Sequence, residues 1–229
     1  MYEEFFRAVR DVNARLPRER QLRILLGDPP IDWSAVRNRD DYVKWALQRD
    51  MHPAAVIERE VMRAGRRALV VYGDGHFQAR SERPPRSLAA LVDSRGGSIF
   101  AVTSTFTDLS RFQADVASWR TPALARLRGT LLGAAPYEAF FGPAPPTDYF
   151  RANPRIEDHF DAVIYLGAVR SNGALAYPRC ADPEYVAMRV GRMVLSGMPA
   201  SVADRLAQEC AAAGKASPAV PDVTGPGGN

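Results

Sequence analysis

Three short clusters hold the residues of this chain best suited to chemistry. Gly73-Asp74-Gly75-His76 sets an imidazole and a carboxylate in one turn, where the glycines permit a tight path that a side chain would obstruct. An imidazole there can act as a general base near neutral pH or ligate a metal. Equally, a lone histidine can do no more than satisfy the backbone of its turn. Arg49-Asp50 could clamp an anion or orient His76, and reads otherwise as a surface ion pair with a helix cap. Asp28 and Asp32 flank Pro29-Pro30-Ile31, either as ligand-binding acids or, for Asp28, as an Asx turn ahead of the prolines. His52 and His159 have no ligand-like spacing and read as ordinary. Cys180 and Cys210 form no metal pattern. Gly73 to His76 is no dinucleotide fingerprint, and neither a Gly-x-Ser-x-Gly elbow nor a phosphate loop occurs.

The elements that must position these groups read as an alternation. Phe5, Phe6, Val9, Val12 and Leu16 recur at helical spacing over residues 2–16, and Pro17 ends the run. Residues 22–26 (Leu-Arg-Ile-Leu-Leu) are a short apolar run closed by Gly27-Asp28-Pro29-Pro30, the pattern of a buried strand and a sharp exit. Residues 39–63 are helical in pattern, with Pro53 either kinking that helix or opening a second one. Gly65 is the expected cap. Residues 68–72 read as the second strand, 88–92 as a helix, and 98–105 as the third strand after Gly96-Gly97. Strand, helix, strand, helix, strand implies a mostly parallel sheet flanked by helices, an α/β domain. Asp108 is a candidate cap for a further helix facing inward through Leu109, Phe112 and Val116. Residues 121–132 are leucine-rich and amphipathic, 142–146 a proline-rich loop, and 160–167 a late strand. Helices are expected over 183–195 and 201–213. Residues 1–214 thus read as one domain and 215–229, rich in Ser, Pro, Val and Gly, as a disordered tail. No strand precedes the first helix, which leads to the expectation of a missing amino-terminal half.

In such sheets ligands bind beyond the carboxyl ends of the strands. That rule gathers Asp28 and Asp32, Asp74 and His76, and Thr103 onto one rim, with Arg49 and Asp50 joining if the chain bends at Pro53.

Composition removes several function classes. At 229 residues, 46% hydrophobic and 24% charged, the chain has enough material for one globular core. No apolar run approaches bilayer length, so no membrane partner is expected, and the acidic start Met1-Tyr2-Glu3-Glu4 lacks signal-peptide order. The cysteines then read as free thiols and the location as cytoplasmic. A net charge of +4 and a pI near 9.3 invite nucleic acid. The arginines, however, alternate with acids, as in Glu58-Arg59-Glu60, whereas phosphate tracking needs clustered charge. The denser groups at 63–67 and 80–86 are short, the first reading as a helix end. No nucleic-acid partner is expected.

Together, Arg23-Ile24-Leu25-Leu26-Gly27-Asp28-Pro29-Pro30-Ile31-Asp32-Trp33, Gln48-Arg49-Asp50 and Gly73-Asp74-Gly75-His76-Phe77 carry a family likeness. The chain resembles the carboxyl-terminal half of the ChaN-like and erythromycin-esterase-like superfamily, which includes the Tiki-type metalloproteases. Residues 127–133 and 160–167 fit the same bacterial subgroup. The resemblance implies an α/β fold with a rim site of acids and histidines, Arg49 and Asp50 matching the arginine-aspartate motif and His76 the histidine after the glycine turn. It further implies metal-dependent or general-base hydrolysis of an ester or amide, or binding of haem, with His76 as base, metal ligand or axial ligand. The family's upstream acid-histidine signature has no equivalent here, so an inactive remnant is a third expectation. A small-molecule ligand is the expected partner in the first two cases, with oligomers forming through an exposed sheet edge.

Overall fold

A computed structural model describes residues 2–77, 87–104, 112, 116, 119–141, 154–166 and 178–213. Structural statements below concern those residues. The sequence readings at 80–86, 105, 108–109, 142–146, 167 and 215–229 lie outside them.

The described amino-terminal third has helices and no strand. Helix α1 (Tyr2–Asn13) ends at Asn13, whose side-chain amide donates to the Leu22 carbonyl while its Oδ1 accepts from Leu22 N. This two-point clasp leads into segment 22–26. The long helical pattern after Arg39 resolves into two helices, α2 (Arg39–Ala46), capped by the Asn38 side chain, and α3 (Met51–Ile57). Pro53 sits in the first turn of α3, where its missing amide hydrogen has no intrahelical partner to lose. The helix then widens into a π turn, Glu58–Met62, and Gly65 closes it at φ +60, a left-handed position that suits glycine. Helix α4 (Leu88–Ser94) starts on the Ser87 side chain, which accepts from Ala90 N.

The sheet is small and mixed. Strands β1 (Val102–Ser104), β2 (Ala123–Arg126) and β3 (Ala162–Tyr165) lie in the order β1-β3-β2, with β1 parallel and β2 antiparallel to β3. The α/β class therefore holds, but a mostly parallel sheet does not. Among the described residues, segments 22–26 and 68–72 belong to no helix and to no ladder. Side-chain pattern makes a segment extended; a ladder also needs a neighbour about 4.8 Å away on an open edge. Leu26 and Leu69 are 78% and 87% exposed, so the burial expected of interior strands is absent as well. Their carboxyl ends still meet, because Tyr72 reaches Asp28.

The leucine-rich stretch 121–132 splits into β2 and the start of the short helix α5 (Leu131–Ala134), followed by α6 (Glu138–Phe141). In β2 partly buried and exposed residues alternate, the period of a strand. The late strand appears as β3. The two closing helices appear as α7 (Pro183–Leu195), capped by Asp182, and α8 (Ala200–Ala213).

Two apolar clusters hold the fold. One gathers Ala101, Val116, Leu127, Leu132, Ala135, Ile156, Phe160 and Val163, and the other Ala54, Leu88 and Val92. Phe77 and Ile99 pack against both, so the residue after His76 is fixed where the clusters join. Cys180 and Cys210 are not free thiols but a disulfide, with Cα atoms 4.6 Å apart. Residues 30 apart in sequence meet because α8 packs back on the turn at Pro178–Ala181. The free-thiol premise of a cytoplasmic location falls with it. Among the described residues no helix is long and apolar enough to cross a membrane.

Candidate functional site

Asp50 lies where the turn after α2 passes into α3, and its Oδ1 is a shared acceptor. It takes the Leu88 backbone amide at 2.8 Å, the first residue of α4, and His76 Nδ1 at 2.7 Å. His76 closes a 3-10 turn, Asp74–His76, with its amide on the Gly73 carbonyl. A carboxylate only accepts, so Nδ1 carries a hydrogen, and in the neutral ring Nε2 is the nitrogen with the free lone pair. The two side chains are 20% and 27% accessible, open enough for a water or a substrate to reach the imidazole.

Tyr72 stands between this pair and a second one. Its ring centre is 4.3 Å from that of His76. Its hydroxyl oxygen lies 2.8 Å from Asp28 Oδ1 and 2.9 Å from the Arg49 carbonyl, two acceptors for one proton. The Arg49 guanidinium sits 5.9 Å above the same ring and approaches Asp28 Oδ1 through Nε at 3.4 Å. Burial, then the bond to Asp28, pushes the Tyr72 hydroxyl up to about 12 despite the opposing Arg49 charge. Burial works against the Arg49 charge, but Asp28 and Tyr72 outweigh it and hold the guanidinium above its ordinary value. Arg49 is thus a permanent cation, and Tyr72 a neutral hydrogen-bond donor at any physiological pH.

Beside them opens a groove of about 420 Å³ lined by Asp28, Pro29, Ile31, Trp33, Tyr42 and Arg49. The Trp33 and Tyr42 rings are stacked, 5.9 Å apart with 24° between planes. Arg192 from α7 places its guanidinium 4.7 Å over Trp33.

Of the residues singled out in the sequence, Asp28, Arg49, Asp50 and His76 are brought together, Asp50 rather than Arg49 being the one that holds His76. Asp32 is not joined to them. It turns onto Ser34, whose hydroxyl and amide pull its carboxyl below the usual range. Asp74 accepts from Gly75 N and faces Tyr137, whose hydroxyl is pushed up to about 12 by burial and then by the Asp74 charge. Thr103 is buried in the middle of β1, paired with Val163, and does not reach the groove or the dyad. His159 is buried against Tyr137, away from the rim. Tyr72, Trp33, Tyr42 and Arg192 were not marked by sequence. Tyr72 ends an apolar run just before Gly73, and that terminal polar tip is the one signal that could have found it.

Among the described residues no three His, Cys, Asp or Glu side chains converge as a metal set. Among those residues His76 meets no second and third ligand for a divalent metal. His76 does not line the aromatic groove.

Compared with family models, with curated proteins and with solved structures, the chain matches none of them. The ChaN-like resemblance rests on its own short motifs.

Proposed function

We propose that the chain is a ChaN-like, erythromycin-esterase-like domain that hydrolyses an ester or amide of a small molecule, with Asp50 and His76 as its acid-base pair. The 2.7 Å contact between Asp50 Oδ1 and His76 Nδ1 carries this reading, because it fixes the tautomer a general base requires. His76 Nε2 takes a proton from water as the water oxygen bonds to the substrate carbonyl carbon. Asp50 stabilises the imidazolium that results, holding its Nδ1–H without taking the proton. The proton then passes from Nε2 to the departing alcohol or amine as its bond to carbon breaks. Arg49, fixed by Asp28 and Tyr72, orients the substrate beside the dyad. A general base of this kind contributes on the order of 100-fold to 10,000-fold in rate.

Purified chain assayed against a panel of nitrophenyl esters and anilides tests the reading. Hydrolysis should fall about 100-fold or more in His76→Ala and less steeply in Asp50→Asn. Hydrolysis unchanged in both variants would overturn it. A Soret band on adding haem that disappears in His76→Ala would replace hydrolysis with haem binding.

A further inference from the structure

We infer that the groove beside the dyad is an anion site, taking a small molecule in which a carboxylate or phosphate is borne on a flat apolar body. The inference rests on the reading that this rim binds a small molecule, and names that molecule's chemistry.

The charges around the groove are unevenly committed. Asp28, the one acid in its lining, has Oδ1 within reach of both the Tyr72 hydroxyl and Arg49 Nε. Asp32 is turned onto Ser34, and Asp41 onto Lys44 and the Arg37 amide. The cations are less engaged. A guanidinium has five N–H donors, and Arg49 meets Asp28 through Nε alone at 3.4 Å, long for a charge-assisted bond. Its side chain is 42% exposed. Arg192 lies on the Trp33 face and, among the described residues, pairs with no carboxylate. Donors therefore exceed acceptors, and the ligand must supply acceptor oxygens, as carboxylate and phosphate do for arginine's fork.

The remaining wall is apolar. Pro29, Ile31 and the stacked Trp33 and Tyr42 rings line the groove, and its volume is within the range of small-molecule sites. A flat hydrocarbon or aromatic body suits those walls, with its charged end on Arg49 nearest Tyr72 and the dyad.

Titration calorimetry of the whole chain with 3-phenylpropionate, phenyl phosphate and phenethylammonium tests this. Either anion should bind saturably and more weakly as salt rises, the tighter of the two identifying the headgroup, while the cation should bind worst. Arg49→Met should cost about tenfold in anion affinity or more. Asp28→Asn, which removes a negative neighbour and keeps an acceptor for Tyr72, should tighten the anion several-fold. Titration with these anions needs no catalysis, so a failure of the hydrolytic reading shows in the ester assay alone. Preference for the cation, equal affinity in Arg49→Met, weaker anion binding in Asp28→Asn, or no saturable binding of either anion would each overturn the site. Should Arg49→Met fail to fold, the sign of the Asp28→Asn change decides.

Discussion

At the scale of single residues, Asp50 has two jobs and His76 one, which separates their variants. Asp50 Oδ1 supports both the imidazole and the first amide of α4. Asp50→Ala strands Leu88 N, already in a nearly buried residue, and should cost about 1–3 kcal/mol of stability by urea denaturation. His76→Ala removes a partly exposed ring that, among the described residues, accepts no backbone amide, so its stability should change by less than about 1 kcal/mol while hydrolysis is lost. Equal destabilisation by the two would reduce the pair to a packing contact. Asp28, Arg49, Asp50 and His76 were legible in the sequence because charge and imidazole beside turn residues have few uses. Trp33, Tyr42 and Tyr72 were not, because an aromatic at the edge of an apolar run reads as core. Thr103 was drawn onto the rim by its position near a strand end, but side chains alternate along a strand, and in the three residues of β1 Thr103 falls on the buried side.

Elements show where periodicity informs and where it misleads. Helices α1, α2, α3, α7 and α8 were legible because caps, prolines and a 3.6-residue spacing agree. Strand pairing was not, since it depends on neighbours distant in sequence; segments 22–26 and 68–72 have strand composition, yet they run outside the sheet while the less obvious stretch 123–126 pairs with β3. Helix α5 is held by a close approach that no pattern announces. Thr130 Oγ1 accepts from Gly133 N and donates to the Leu127 carbonyl, and a Cβ on Gly133 would collide with that same carbonyl. The obstruction is backbone inside the main core cluster, with Leu127 fully buried, so it has little room to yield. Gly133→Ala should therefore destabilise by about 1–3 kcal/mol although alanine favours helices. A stabilised Gly133→Ala protein in thermal melts would mean the α5 turn stands further from Leu127.

For the whole molecule, two features tie solution conditions to the stability of the fold. The first is the Cys180–Cys210 bond, which closes a loop of 30 residues around α7. A cross-link of that span stabilises by about 3–4 kcal/mol through the unfolded chain, so reduction, or Cys180→Ser with Cys210→Ser, should lower the urea midpoint accordingly, and the native chain should offer no thiol to a titrant. The second is a pair of late-titrating tyrosines, Tyr72 against the His76 ring and Tyr137 near the Asp74 charge. Burial comes first for both, with the Asp28 bond acting on Tyr72 and the Asp74 charge on Tyr137, and each hydroxyl rises from the ordinary 10 to about 12. Below about pH 10 both tyrosines keep their protons folded and unfolded, and their contribution is fully present. Between about pH 10 and 12 the unfolded chain releases these protons and the folded chain does not, so stability falls as pH rises. Tyrosinate absorbance followed against pH should show a late fraction, from Tyr72 and Tyr137, that appears only as the fold is lost. Tyr72→Phe and Tyr137→Phe should each remove part of that late fraction and flatten the alkaline loss of stability. If both variants titrate like the parent, the hydroxyl of Tyr72 is free in water rather than held at Asp28, and the hydrogen-bonded frame behind Arg49 goes with it.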